Sequence, residues 1–227
     1  MKQNLERIKQ RIAAAAIACG RDPATIRLVA VSKTVDASRV AEAIDAGADI
    51  LGENYIQEAR KKFSALGGRP VQWHFIGHLQ SNKAKYAVQM FDLIHSLDSI
   101  KLAEALDKAA QKINKVQNLL VQVNISREET KSGIETANVI DLIAQVSQLE
   151  NVRVKGLMTM PPFFNAPEQA RPFFQRLARL RERIVEHRIP GVSMEELSMG
   201  MTGDFEVAIA EGATLVRIGT AIFGARQ

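Results

Sequence analysis

Leu28-Val29-Ala30-Val31-Ser32-Lys33-Thr34 is the stretch on which the fold turns. It is a short apolar run rich in β-branched residues and bounded by turn signals, which predicts a buried strand over 26–33. Lys33 then stands at the carboxyl end of that strand, where open and barrel-shaped α/β folds place their chemistry. Side chains alternate along a strand, so Lys33 shares a face with Val29 and Val31 and points with them towards the interior. Two readings stand for this lysine. Its ammonium snorkels out of a strand end, or it is a desolvated amine of the kind that forms Schiff bases with aldehydes.

The same strand-then-helix unit repeats along the chain. A helix over 3–19, with Leu5, Ile8, Ile12, Ala15 and Ala16 at helical spacing and Gly20 as its stop, precedes the first strand. Further strands are predicted at 49–53, 71–77, 93–97, 118–124, 152–160, 196–199 and 214–219. Helices are predicted at 37–46, 55–65, 81–90, 99–113, 135–149, 167–188 and 203–211. Asp98 is a capping candidate for the fourth of these, 125–134 reads as a long charged loop, and Pro161-Pro162 closes the sixth strand because proline cannot continue a ladder. Eight strands alternating with helices predict a parallel sheet closed into an α/β (β/α)8 TIM barrel with an extra N-terminal helix, one domain over residues 1–227. A doubly wound open sheet is the alternative, but the glycine-rich first turn usual there is replaced by Ser32-Lys33-Thr34-Val35.

Composition narrows the function classes. Of 227 residues 46% are apolar, yet no apolar run approaches the roughly 18 residues a membrane helix needs. Residues 1–20 lack a secretory layout, so a cytoplasmic protein without membrane contact is expected. The single cysteine, Cys19, excludes an intrachain disulfide or a multi-thiolate metal site, and reads as core-facing or helix-ending. A net charge of +5 with 5% aromatic residues supports no nucleic-acid groove. A small anion such as a phosphate suffices to explain it.

The loops after the seventh and eighth predicted strands, where barrels frequently bind phosphate, read Ser198-Met199-Gly200-Met201-Thr202-Gly203 and Gly219-Thr220. Backbone freedom and hydroxyl donors are what phosphate oxygens need, although such residues also make ordinary turns. Arg217 shares the inward face of its strand with Leu215. A guanidinium there must find an acceptor, either a carboxylate such as Glu53 or Glu196, or a ligand's ring nitrogen. Together, Lys33, Arg217 and the two loops make one coherent site for pyridoxal 5′-phosphate: aldehyde to Lys33, pyridine nitrogen to Arg217, phosphate to the loops.

These residues also carry a resemblance. Ala30-Val31-Ser32-Lys33-Thr34, Gly52-Glu53-Asn54-Tyr55, Trp73-His74-Phe75-Ile76-Gly77, Leu79-Gln80, Asn82-Lys83, Gly156-Leu157-Met158, Leu197-Ser198-Met199-Gly200-Met201 and Arg217-Ile218-Gly219-Thr220-Ala221-Ile222-Phe223-Gly224 resemble, in order and over almost the whole chain, the pyridoxal-phosphate homeostasis proteins. That family consists of single-domain barrels similar to the N-terminal domain of alanine racemase. The resemblance implies that Lys33 holds the cofactor as an internal aldimine and that Arg217 faces the pyridine nitrogen. It also implies that Ser198, Gly200, Gly219 and Thr220, with Met199 among them, bind the phosphate end, while Asn54 and Met158 line the pocket beside the ring. Val35-Asp36 stands where a proline is expected after Lys33-Thr34, and Thr202 where serine is usual; a hydroxyl survives the second change.

Most pyridoxal enzymes keep the ring nitrogen protonated with a carboxylate, whereas a guanidinium only donates and leaves the ring a poorer electron sink. Racemases of this barrel type, by the same resemblance, add a tyrosine base from a second domain. The only tyrosines here, Tyr55 and Tyr86, fall on predicted helices. The expected function is therefore to hold, buffer or deliver the cofactor within vitamin B6 and amino-acid/keto-acid homeostasis, without efficient turnover. Transient cofactor-recipient enzymes would be partners, and a monomer is expected. A pyridoxal racemase or lyase of unknown substrate is the first alternative, and a Schiff-base aldolase for a sugar phosphate the second. His74 and His78 lack a zinc-site pattern. His74 either sits near the cofactor or is a hydrogen-bonded barrel histidine. The methionines 158, 160, 194, 199 and 201 read first as core filler. Arg176, Arg179, Arg181, Arg183 and Arg188 read as a solvated helix face or a docking surface.

Overall fold

Residues 1–126 and 132–224 are described by a computed structural model, and within them eight parallel strands close into a ring. In chain order the strands are β1 (Arg27–Val31), β2 (Ile50–Glu53), β3 (Gln72–Phe75), β4 (Leu93–Leu97), β5 (Gln117–Asn124), β6 (Ile134–Glu135), β7 (Val152–Met158), β8 (Glu196–Ser198) and β9 (Leu215–Ile218). Neighbours pair in sequence from β1 to β5. The ring then continues through β7, β8 and β9, which pairs back with β1. The expected barrel is thus present. The two-residue β6 was not expected; it pairs with the end of β5 and stands outside the ring. Of the predicted loop 125–134, residues 127–131 lie outside the described residues.

The helices are α1 (Lys2–Ala18), α2 (Ala37–Asp45), α3 (Ile56–Ala65), α4 (Ala84–Met90), α5 (Ile100–Gln111), α6 (Val139–Val146), α7 (Arg171–Glu186), α8 (Phe205–Ala210) and α9 (Thr220–Phe223). Three begin three or four residues later than their apolar periodicity predicts, because α4, α6 and α7 are each entered through a 3-10 turn, at Ser81–Lys83, Thr136–Asn138 and Pro167–Ala170. Asp98 does not cap α5. The preceding residue is Ser99, and Asp98 instead accepts a hydrogen bond from the Ser99 hydroxyl at 3.2 Å. Cys19 is exposed at the end of α1, with its Sγ 3.2 Å from the Ala16 carbonyl, so it ends the helix and does not face the core.

Alternation along the strands divides the core in two. Val29, Ile50, Leu93, Leu120, Met158 and Leu215 pack together inside the ring, while the intervening residues meet the helices. Leu5, Ile8, Ile12 and Ala16 form the buried stripe of α1. That helix is tied to the far end of the chain: Asn4 donates to the Ile222 carbonyl at 3.1 Å, and Arg11 pairs with Glu206 of α8. Just beyond the helix, Arg21 donates to the carbonyls of Ile209 and Ala213 at 2.7 and 2.8 Å. The β1–β9 seam is thereby covered by the first helix.

Candidate functional site

β1 ends at Val31, two residues earlier than predicted, so Lys33 sits on the loop just past the carboxyl end of the barrel. It is half-buried and lines a cavity of about 390 Å³ together with Val31, Thr34, Asp36, Arg39, Gly219 and Thr220. The lysine of the first strand and the glycine–threonine pair after the last are therefore brought to one place by closure of the β1–β9 seam. The two residues beside Lys33 are fixed from α3. The Lys62 ammonium, 4% exposed, donates to the Ser32 carbonyl, to Glu53 at 2.8 Å and to Glu58 at 2.6 Å. Glu58 also accepts from the Thr34 backbone N–H, and Ser32 Oγ donates to Glu53 at 2.6 Å. Thr34 has φ of +61°, a left-handed conformation that a β-branched residue adopts only when its surroundings hold it there. Burial pushes the Glu53 carboxyl up, opposed by the Lys62 and Ser32 contacts.

Arg217 is on the inward face of β9, 4% exposed. Neither carboxylate suggested by the sequence pairs with it, since Glu53 is taken by Lys62 and Glu196 by Arg27 and Thr214. Its Nη1 donates to Ser198 Oγ at 2.5 Å and its Nη2 to the Thr159 carbonyl at 2.9 Å. Burial lowers its pKa to about 10, with the Asp204 charge opposing, so the guanidinium stays charged at neutral pH. A guanidinium has five N–H donors. Among the described residues, protein acceptors take only the two contacts above.

Ser198 is the last residue of β8. Its hydroxyl is fully buried inside the barrel, between Arg217 and His95 Nδ1 at 2.9 Å, so it is committed to the interior and does not face the loops. The hydroxyls that meet at the mouth are those of Thr220 and Thr202, 3.4 Å apart. Met199 is likewise turned away: its side chain is fully buried in the sheet–helix core, and its N–H donates to the Leu215 carbonyl. Gly200 has φ of +91°, and a Cβ there would lie 2.6 Å from that of Ala208. At Gly219 a Cβ would lie 3.3 Å from the Val31 carbonyl, so glycine lets this loop approach β1. Asn54 follows β2 at the same end of the barrel, half-buried, and its Oδ1 is buried without a hydrogen-bond partner. Met158 is fully buried in the ring interior beside Val29 and Leu215.

His95, which the sequence reading passed over, completes the interior. Its Nε2 lies 3.0 Å from His74 Nδ1, and both rings are buried. Burial lowers the pKa of His74 to about 3 and that of His95 well below the usual imidazole range, reinforced at His95 by His74 and Arg217. The signal available was a histidine two residues after Leu93, on the same strand face. His74 is thus hydrogen-bonded inside the barrel. No cluster of three potential metal ligands occurs among the described residues. Tyr55 is exposed immediately before α3, and Tyr86 stacks under Arg60 and Lys85 on α4.

The sequence model of the alanine racemase N-terminal domain matches residues 2–227. The pyridoxal phosphate homeostasis protein of Aquifex aeolicus is 45% identical over 225 residues, 99% of this chain and 98% of the relative. The chain belongs to the pyridoxal phosphate homeostasis protein family. Among solved structures of this kind, PipY of Synechococcus elongatus PCC7942 with PLP bound is 36% identical, with a TM-score of 0.83 over 96% of this chain and 100% of PipY. Alanine racemase of Clostridium difficile 630, at 14% identity and a TM-score of 0.72, shares the barrel fold, and the chain spans 57% of its length. The homeostasis-protein barrel therefore has the architecture that the strand count predicted.

Proposed function

We propose that this protein binds pyridoxal 5′-phosphate through Lys33 and holds or delivers it, acting in vitamin B6 and amino-acid homeostasis without efficient catalytic turnover. The observation that carries the reading is the convergence of Lys33, Gly219 and Thr220 on one cavity, with the buried Arg217 two residues before Gly219. Five relations support the fit to this group. Lys33 supplies the amine for covalent attachment. Thr220 and Thr202, with the close-packed Gly219, offer hydroxyls and backbone to a phosphate. Arg217 retains donors for a ring acceptor, and the unpartnered Asn54 Oδ1 is an acceptor awaiting a donor. PipY, a relative of the same size and fold, is a PLP-bound protein.

When bound, the group supplies an aldehyde and an electron-accepting ring. The residues around it limit that chemistry. Arg217 would face the ring nitrogen and can only donate to it, which would leave that nitrogen unprotonated, and neither Glu53 nor Glu196 is free to serve there. Asn54, Thr202 and Thr220 bind and orient, and Met158 closes the interior beneath. His74 and His95 are held neutral by burial and bonded to each other. Tyr55 and Tyr86 stand on or beside helices. This arrangement supports retention of the cofactor, with transient recipient enzymes as the partners of delivery.

The test is the near-ultraviolet and visible absorption of the protein supplied with pyridoxal phosphate, before and after borohydride, beside Lys33→Ala. A long-wavelength band that borohydride removes and the variant lacks is expected. A wild type without such a band contradicts the cofactor reading. Racemisation or decarboxylation of a common amino acid at about 1 per second or faster contradicts the holding role.

A further inference from the structure

Four polar side chains cross the inside of the barrel in contact with one another. Arg217 of β9 donates to Ser198 of β8 at 2.5 Å, Ser198 meets His95 of β4 at 2.9 Å, and His95 meets His74 of β3 at 3.0 Å. All four are buried, at 4%, 0%, 0% and 1% exposure. Buried polar networks are either satisfied throughout or costly, and hydrogen accounting gives this one a direction.

A guanidinium has no lone pair to offer, so Arg217 donates and Ser198 Oγ accepts. Two arrangements remain for the neutral rings. If His95 carried its proton on Nδ1, Ser198 Oγ would accept from Arg217 and His95 alike. The hydroxyl proton would then have no acceptor among the described residues. If Ser198 instead donates to His95 Nδ1, the His95 proton is on Nε2 and is donated to His74 Nδ1, and each of the three contacts holds one proton. Each order leaves one proton without an acceptor among the described residues: the first that of the fully buried Ser198 hydroxyl in mid-chain, the second that of His74 Nε2 at the end of the chain of contacts, an atom that is not among the enclosed unpartnered ones, and this favours the second order.

We propose that Ser198, His95 and His74 are positioning residues for Arg217, forming a one-way hydrogen-bond relay Arg217→Ser198→His95→His74 across the barrel. With the Thr159 carbonyl as its second anchor, at 2.9 Å, the guanidinium is fixed about two axes. Its remaining N–H groups are thereby aimed as donors at an acceptor above the barrel interior, a heteroaromatic nitrogen in the class of ligand proposed above. That last clause rests on the cofactor reading; the relay does not. The relay also explains a serine at position 198. Its hydroxyl accepts from a permanent cation and passes a donor onward, which neither a carboxylate nor an apolar residue does. The neutrality of both rings, each held down by burial, keeps Arg217 the one charge in the chain of contacts.

The test uses the full-length protein without cofactor, so its outcome is independent of pyridoxal phosphate. Long-range proton–nitrogen correlation spectra of the histidine rings at neutral pH report which nitrogen carries the proton. The expected result is a proton on Nε2 of both His95 and His74, with Nδ1 of each unprotonated. A proton on Nδ1 of His95, or a doubly protonated ring at either position, overturns the relay, and the wild-type spectrum alone decides it. In Ser198→Ala the Nδ1 resonance of His95 shifts as its donor is lost; an unmoved resonance contradicts the contact. Separately, Ser198→Ala weakens pyridoxal phosphate affinity by about tenfold, the worth of one anchoring hydrogen bond to a charged group. Unchanged affinity with a confirmed proton pattern overturns the positioning role while leaving cofactor binding itself intact.

Discussion

At the scale of single residues, the acid sensitivity of the protein is concentrated in its two interior histidines. Burial holds the pKa of His74 at about 3 against an ordinary value of 6.5. The unfolded chain therefore binds the proton first, and stability is complete above about pH 6.5 and declines as pH falls towards 3. The decline contributed by this ring approaches 1.4 kcal/mol per pH unit within that window. Denaturant unfolding at pH 7 and about pH 4.5 is expected to show a loss for the wild type that is about 2–3 kcal/mol smaller in His74→Gln. Equal losses in the two proteins would contradict this account of the buried ring. The residue scale is also where the sequence was least legible. Ser198 sits in a small-residue loop motif that reads equally well as a phosphate cradle. Only the parity of a three-residue strand turns its hydroxyl inward to Arg217, and that parity depends on pairing with β7 and β9. His95 carried no motif of its own.

At the scale of elements, the loop between β8 and α8 is constrained more tightly than its glycine-rich sequence suggests. Met201 N–H donates to Asp204 Oδ1 at 2.6 Å and Asp204 N–H to the Met201 carbonyl at 3.1 Å, closing a turn that delivers Gly200 against Ala208 of α8. Gly200→Ala combines a left-handed backbone with a side chain that has no room. It is expected to lower unfolding free energy by about 2–4 kcal/mol. A urea titration in which the variant stays within about 0.5 kcal/mol of wild type would contradict the close packing of that loop. Strand positions were readable because apolar runs such as 28–31 and 93–94 combine with turn residues at their ends. Helix starts were not: the 3-10 turns before α4, α6 and α7 carry the same periodicity as the helices they precede. Asp98 failed as a cap because the residue preceding the helix proved to be its neighbour Ser99.

At the scale of the whole molecule, the eight strands and their closure followed from counting strand-and-helix units, and the family comparisons agree with the barrel. The sequence could not show how the ring is sealed. α1, read as a preface to the barrel, is bound to α8, α9 and the loops of the last unit through Asn4, Arg11 and, just beyond it, Arg21. The seam it covers is the one that brings Lys33 and Gly219-Thr220 together, so the closing of the fold and the assembly of the site are one event. The central claim is that the intact chain carries one pyridoxal phosphate, on Lys33. Mass spectrometry of the intact protein after borohydride reduction, followed by peptide mapping, tests it most directly. The account predicts a single added pyridoxyl phosphate on the peptide containing Lys33 and none on Lys33→Ala. An unmodified wild type, or a label on other lysines that persists in the variant, would contradict it.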